Sequence, residues 1–287
     1  MAKSIVGRIK INTFEDIVGG ENVSITEVPI KDLYSFRDHP FLVLDDEKME
    51  ETVKSIREYG VLMPGIVRPR DDGGYEIIAG HRRKRACELA GLETMPVVIK
   101  DMSDDEAVVA MVDSNIQRED ILPSEKAHAY RMKFDVMKHQ GTAGGNTLEE
   151  IGEAAGECGR TVQRYIALSY LTDTLLRFVD EKKLPVRSGV ELSYLTDSEQ
   201  KWIEIFISEF KVVISPDKAA KIKMYSANKE LTEALLREIL ISNDQKPVKV
   251  VLKADTLSEY FPGDMPAEVI EKFIIHLLDD WKEKGGQ

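Results

Sequence analysis

The sequence predicts an α+β fold: a small mixed α/β domain, an all-helical domain with a helix-turn-helix, and a mostly helical C-terminal region. Three observations predict it. Short apolar strands alternate with amphipathic helices between residues 23 and 120. From residue 147 to about 243, the apolar spacing is almost wholly helical. Between the two lies HQGTAGGN at 139–146, whose small, polar and glycine-rich composition is typical of a hinge.

The elements of the α/β domain follow from periodicity and from residues that begin a helix. Met49, Val53 and Ile56 recur at spacings of four and three, which indicates an amphipathic helix. Ser103, three residues before Glu106, predicts a capping box at a helix start. In chain order we predict a strand at 23–30, a helix at 45–59, strands at 65–69 and 75–79 around a DDGG turn, a helix at 81–90, a strand at 94–100, and helices at 103–114 and 123–138.

The C-terminal region is predicted to hold a strand at 246–253 and a last helix that begins at Pro266. Apolar side chains repeat along this helix at a spacing of four, which is more apolar surface than one exposed helix needs. An intramolecular core and a dimer seam are both consistent with it. The predicted boundaries are a flexible tail at 1–22, the α/β domain at 23–122, the helical domain at 123–243 with the helix-turn-helix at 147–170, and the C-terminal region at 244–287.

Composition limits the class of protein. The chain has 287 residues, of which 43% are hydrophobic and 31% charged, as in globular rather than disordered proteins. Its two cysteines, Cys87 and Cys158, lie far apart, which favours a reducing cytosol and argues against a zinc module. The sequence contains no evident signal peptide and no run of about 18 apolar residues, so we expect a cytoplasmic protein without a membrane span.

The net charge of -12 is unevenly distributed. Residues 1–125 hold 16 basic and 25 acidic side chains, whereas residues 126–195 hold 10 basic and 9 acidic ones. Because this middle segment is the one part of the sequence that is not acidic, it is where we expect contact with nucleic acid.

A cationic cluster directly follows a predicted strand, in GHRRKRA at 80–86. Gly80 stands between strand and helix, where backbone N–H groups point outward and the helix dipole favours an anion. Arg82 and Arg83 can form bidentate hydrogen bonds with phosphate oxygens. The residues alone leave two interpretations open, a phosphate site and a solvated helix face.

A second group of polar side chains closes the helix at 103–114. Asn115, Gln117 and Arg118 follow one another in VDSNIQRED at 112–120. Taken alone, they are better explained by a polar loop in which Asn115 caps the helix.

The segment NTLEEIGEAAGECGRTVQRYIALSYL at 146–171 predicts a helix-turn-helix in which Gly156 supplies the turn. Arginine and glutamine can read base edges in the major groove, so the outward side chains of the second helix are candidates for DNA contact. They are Arg160, Thr161, Gln163 and Arg164. An ordinary helical hairpin is the alternative. Gly152, which weakens a helix by about 1 kcal/mol relative to alanine, and Glu157, at a position that is commonly apolar, both favour that alternative.

Four motifs occur in one order: GVLMPGIVR at 60–68, GHRRKRA at 80–86, AGLETMPVVIK at 90–100 and SNIQREDILPSEKAHAY at 114–130. Together they resemble the N-terminal domain of the ParB partition-protein family, which carries a helix-turn-helix immediately afterwards. The resemblance covers residues 24–195. It implies a domain that binds CTP with Mg²⁺. The implied nucleotide-binding residues are Gly80, His81, Arg82, Arg83, Asn115 and Arg118, with Asn115 beside the metal.

The chain departs from the family pattern where acidic residues are expected. His81 and Ser114 replace the two carboxylates of the arginine and asparagine motifs, and Met63 replaces a glutamine. Carboxylates are the usual protein ligands of Mg²⁺. Their loss predicts either nucleotide binding with at most weak CTP hydrolysis or binding of another nucleotide, and no catalytic residue is assigned. Asp113 or Asp120 could substitute for them.

His81 is not expected to form a metal site, because no second histidine or cysteine lies at ligand spacing in the sequence.

The resemblance implies a dimeric, CTP-responsive DNA clamp that binds a palindromic site and partitions a plasmid or other mobile element. A ParA-type ATPase is the implied partner, with Arg8 and Lys10 as candidate contacts. Three alternatives remain open. They are a transcriptional repressor with a degenerate nucleotide site, a Mg²⁺-dependent nuclease, and a kinase-like use of the arginine motif as in sulfiredoxins. The last alternative expects a cysteine beside the histidine, but Gly80 precedes His81 here.

Overall fold

The computed structural model describes residues 24–118, 120–139, 147–241, 260–261 and 265–283. The chain divides into two compact units between Ile241 and Ser242. A mixed sheet followed by helices confirms the predicted α+β fold class. The tail at 1–22, with Arg8 and Lys10, and the strand predicted at 246–253 lie outside the described residues.

A five-stranded mixed sheet forms the centre of the N-terminal part, with the strand order β1-β5-β3-β4-β2. β1 runs antiparallel to β5, β5 parallel to β3, β3 antiparallel to β4, and β4 parallel to β2. The strands are β1 (Ile25–Pro29), β2 (Leu33–Tyr34), β3 (Gly65–Pro69), β4 (Tyr75–Ala79) and β5 (Thr94–Ile99). A short 3-10 turn at Ile30–Asp32 joins β1 to β2.

Helices cover both faces of this sheet because successive strand residues point in opposite directions. Val67 and Ile77 pack on one side in a core shared with α1 and α2. Ile66 and Ile78 pack on the other side in a core shared with α3 and α4. These helices are α1 (Glu47–Tyr59), α2 (His81–Ala90), α3 (Asp104–Ile116) and α4 (Pro123–His139).

Short helices continue the chain after α4. They are α5 (Thr147–Glu153), α6 (Gly159–Leu168), α7 (Asp173–Asp180), α8 (Val186–Leu192), α9 (Asp197–Phe210), α10 (Pro216–Ala227) and α11 (Glu233–Ile241). Ile151 of α5 and Val162 of α6 belong to the same buried cluster as Met111 of α3 and Tyr130 of α4. The helix pair α5–α6 therefore packs directly on the α/β part. Helices α7 to α11 enclose another core of mainly aliphatic side chains, to which Ala127 of α4 and Leu168 of α6 also contribute.

The second unit contains α12 (Ala267–Glu283). Its apolar side chains are largely exposed: Val269 48%, Phe273 52%, Leu277 53%, Leu278 57% and Trp281 56%. In the part of the chain that the structure describes, no helix is long and apolar enough to cross a membrane.

Candidate nucleotide and DNA sites

The N-terminus of α2 combines a glycine turn with an uncapped helix start. Gly80 has φ of +117°, a conformation that favours glycine. A Cβ there would lie 3.3 Å from both the Cα of Gly65 and a guanidinium nitrogen of Arg83. Within the described residues, no side chain caps this helix. The first-turn N–H groups of α2 therefore suit an incoming anion.

Arg83 contacts the chain that leads into β3. Its Nη1 donates to the carbonyl oxygens of Met63 at 2.7 Å and Pro64 at 2.5 Å. Burial lowers the pKa of Arg83. These bonds give Arg83 a structural task, since it fixes the loop that leads into β3.

Arg82 and Arg85 bind carboxylates just before α1. Arg82 Nη2 donates to Asp46 Oδ1 at 3.0 Å. Arg85 donates to both carboxylate oxygens of Asp45, at 3.0 and 2.6 Å. The bond from Arg82 is the leading reason why the pKa of Asp46 is lowered. In this structure Arg82 and Arg85 each form an ion pair with an aspartate of the same chain.

The ring of His81 packs at a tilt against that of a second histidine, His39. Its ring centroid lies 3.8 Å from that of His39, and its Nε2 accepts the backbone N–H of Phe36 at 3.3 Å. Burial, followed by the neighbouring His39, lowers the pKa of His81 to about 3. No sequence pattern connects the two rings, because His39 belongs to none of the four motifs. The ring of His39 therefore lies next to His81 in space, although no second histidine stands at ligand spacing in the sequence.

His39 interacts with residues of both the arginine motif and the asparagine motif. Its pKa is lowered mainly by burial and further by the positive charge of Arg118. Arg118 follows the last turn of α3, in which the amide nitrogen of Asn115 donates to the carbonyl oxygen of Met111 at 2.9 Å. The structure thus places His81, His39 and Arg118 in one electrostatic neighbourhood, although they are distant in sequence.

The carboxylates proposed as substitutes at a metal are engaged elsewhere. Asp113 pairs with Lys133 at 2.5 Å, and the two side chains are only 8% and 7% exposed. Asp120 pairs with Lys48. No group of three or more His, Cys, Asp or Glu side chains suited to a metal occurs among the described residues. Asn115 supplies a neutral oxygen, so the described residues of the motifs do not fit a Mg²⁺ ion anchored by protein carboxylates.

Helices α5 and α6 form the predicted helix-turn-helix geometry. Gly156 has φ of +66° at the turn, and Ile151 and Val162 are 1% and 0% exposed where the helices meet. The opposite side of α6 faces solvent. Arg160, Gln163 and Arg164 are exposed there, and Thr161 is half-buried. Their placement suits entry of α6 into a major groove.

Gly152 and Glu157, which in the sequence favour an ordinary helical hairpin, stabilise the helix-turn-helix in the structure. A Cβ on Gly152 would lie 2.2 Å from the backbone oxygen of Glu157, so the turn can close only on glycine. The carboxylate of Glu157 accepts bonds from Lys126 Nζ at 2.6 Å and Tyr130 Oη at 2.8 Å. Both partners lie in α4. Glu157 therefore joins the α5–α6 turn to α4.

Comparisons with known proteins agree with these features. A family model described as the ParB N-terminal domain matches residues 15–116. A nucleoid occlusion protein of Halalkalibacterium halodurans is 31% identical over 197 residues, which cover 68% of this chain and 67% of the relative. A probable chromosome 1-partitioning protein ParB of Deinococcus radiodurans is 34% identical over 183 residues, which cover 64% and 60% of the two chains.

Solved structures include a C-terminally truncated chromosome-partitioning protein ParB from Caulobacter crescentus complexed with CTP-gamma-S. It is 29% identical, covers 63% of this chain and 98% of its own, and has a TM-score of 0.31. From the family model and the relatives together, the chain belongs to the ParB-like partition-protein family.

Proposed function

We propose that this protein is a sequence-specific DNA-binding partition protein that binds DNA through α6 and a cytidine nucleotide at the start of α2. The observation that carries the proposal is the arrangement of the two motifs. The uncapped N-terminus of α2 begins with His81, whose ring packs against His39, and the positive charge of Arg118 acts on His39.

Each residue of the proposed nucleotide site has a separate task. The backbone N–H groups after Gly80 and the guanidinium of Arg82 bind phosphate oxygens. Arg83 holds the loop at Met63 and Pro64 in place for the nucleotide. His81 stays neutral because burial lowers its pKa, so it adds no charge to the site.

CTP is the nucleotide that the motif resemblance favours. The resemblance implies Asn115 as the protein group at the metal, so Asn115 would supply a neutral oxygen to a Mg²⁺ ion that enters with the nucleotide. Because Asp113 and Asp120 are paired with Lys133 and Lys48 and are not available to anchor the ion, binding without efficient hydrolysis is the activity we propose.

DNA recognition is assigned to the solvent-facing side of α6. Arg160, Gln163 and Arg164 are exposed and can reach base edges, and Thr161 lies among them. We propose a palindromic site read by a homodimer in the nucleoid, a ParA-type ATPase partner, and a plasmid or other mobile element as the DNA that is partitioned. The departures at His81 and Ser114 are the reason for the last of these.

The nucleotide assignment is tested by calorimetric titration with CTP, ATP, GTP and UTP. Arg82→Ala should weaken binding of CTP about tenfold or more, since a hydrogen bond to a charged group contributes about 1.5–3 kcal/mol. Arg70→Ala is the matched control, because Arg70 is a cation of the same domain that pairs with Asp72. Unchanged CTP affinity of Arg82→Ala would show that the site is misplaced.

The DNA assignment is tested on a duplex selected from a random pool. Arg164→Ala should cost about 1–3 kcal/mol on the selected sequence and less on a scrambled one. Arg177→Ala removes the same charge from α7, where Arg177 pairs with Glu181, and should leave both affinities unchanged. An equal loss on both duplexes would assign Arg164 to the phosphate backbone instead.

A transcriptional repressor with a degenerate nucleotide site is the second candidate. The pairing of Arg82 and Arg85 with Asp46 and Asp45 favours it, because those arginines already have anionic partners. DNA affinity that does not respond to any of the four nucleotides, in a protein that binds none of them, would establish this alternative.

A further inference from the structure

A short segment ahead of α1 connects α4 to the arginines of α2. We call residues 41–46, FLVLDD, the strap. Phe41 is 3% exposed and packs in the core, and the N–H of Leu42 donates to Glu125 Oε1 at 2.6 Å. Leu42 and Leu44 are 53% and 54% exposed, so the side chains between the ends of the strap contribute little burial.

The C-terminal end of the strap contacts Arg82, the arginine that we propose binds phosphate. Asp46 Oδ1 accepts a bond from Arg82 Nη2 at 3.0 Å, and the carbonyl oxygen of Leu44 lies 3.5 Å from Arg82 Nη1. A carboxylate and a carbonyl thus lie on the two terminal nitrogens of Arg82. Asp45 makes its own pair of bonds, but with Arg85, on the next turn of α2.

We propose that Asp46 is an internal ligand of Arg82 that competes with the phosphates of an incoming nucleotide, so that nucleotide binding frees Asp46 from Arg82 and loosens the strap, which Asp45 still joins to Arg85. This inference rests on the proposed nucleotide site. The ion pair is partly exposed, with 25% of Arg82 and 42% of Asp46 accessible, and such pairs contribute little stability. A phosphate group brings more charge and more acceptor oxygens than one carboxylate, so it can displace Asp46.

The strap gives this displacement a route to the DNA-binding part. Glu125, which holds Leu42, is 5% exposed in the first turn of α4. The same helix carries Lys126, the residue after Glu125, and Tyr130, and both bind Glu157 at the turn between α5 and α6. Loosening of the strap therefore acts on α4, the helix that supports the helix-turn-helix.

Asp46→Asn in the full chain is the central test. Asparagine caps helices as well as aspartate does, so the bond from Asp46 to the N–H of Met49 at 2.9 Å has a replacement while the negative charge is removed. Affinity for CTP and for tripolyphosphate should rise about two- to fivefold, as expected for loss of one exposed ion pair. Asp45→Asn makes the same charge change one residue earlier and should leave both affinities unchanged, because Asp45 faces Arg85.

Hydrogen exchange of the peptide that contains residues 41–46 gives the second readout. In the wild-type chain, saturating CTP should accelerate exchange of the strap amides, including that of Leu42. Equal or weaker affinity in Asp46→Asn, an equal gain in Asp45→Asn, or strap exchange that CTP slows or leaves unchanged would each overturn the competition while leaving the nucleotide site in place. If neither the wild type nor Asp46→Asn binds CTP or tripolyphosphate, the nucleotide site itself fails and the inference fails with it.

Discussion

His81 shows how one residue can change the character of a site without disturbing the fold. It occupies the first position of α2, where the family pattern has an acidic side chain, and it is held by the ring of His39 and the N–H of Phe36. An acidic group there would carry a charge into the site, whereas burial keeps this imidazole neutral.

This burial predicts acid sensitivity. The pKa of His81 is about 3 in the folded chain and 6.5 in an unfolded one. Between these pH values His81 is protonated in the unfolded chain and neutral in the folded chain. The contribution of neutral His81 to the free energy of unfolding is therefore complete above pH 6.5. It is lost as the pH falls toward 3, at up to roughly 1.4 kcal/mol per pH unit. Urea unfolding of the wild type and His81→Gln, on both sides of pH 6.5, should show the variant losing less stability on acidification. Parallel pH dependences would mean that His81 is solvated.

At the scale of elements, local sequence patterns predicted most of the fold. Periodicity and caps placed α1 to α4 and β3 to β5 within a few residues of where they occur. β2 was missed because a strand of two residues carries no alternation to detect. The contacts that decide the sites connect distant segments, such as Asp46 with Arg82 or Glu157 with Lys126, and no local pattern encodes such pairs.

Gly152 distinguishes local propensity from tertiary contact. Helix propensity alone predicts that Gly152→Ala stabilises α5 by about 1 kcal/mol. The structure predicts the opposite sign, because the new Cβ would lie 2.2 Å from the backbone oxygen of Glu157. We expect a loss of about 1–3 kcal/mol, as is usual for an overpacked core, measured as the free energy of unfolding in urea. A more stable variant would show that the α5–α6 turn opens at little cost.

At the scale of the whole molecule, the two compact units differ in how they bury apolar surface. The unit that ends at Ile241 encloses its cores within the chain. In the unit that begins at Ser242, α12 leaves a face of large apolar side chains about half exposed. Exposed apolar surface of this extent is typical of a surface that binds a partner.

We expect a second copy of the chain to cover this face, because a helix-turn-helix protein reads paired half-sites as a dimer. Leu277 and Trp281, 53% and 56% exposed, lie one turn apart on α12. The double variant Leu277→Glu/Trp281→Glu should sediment as a monomer at concentrations where the wild type is a dimer, since charges buried at an apolar seam lack partners. Lys272→Gln is the control, because it also makes α12 more negative but removes no apolar side chain from the helix. A wild-type chain that sediments as a monomer at all concentrations would exclude the dimer seam. A double variant that stays dimeric would place the contact between subunits elsewhere in the chain.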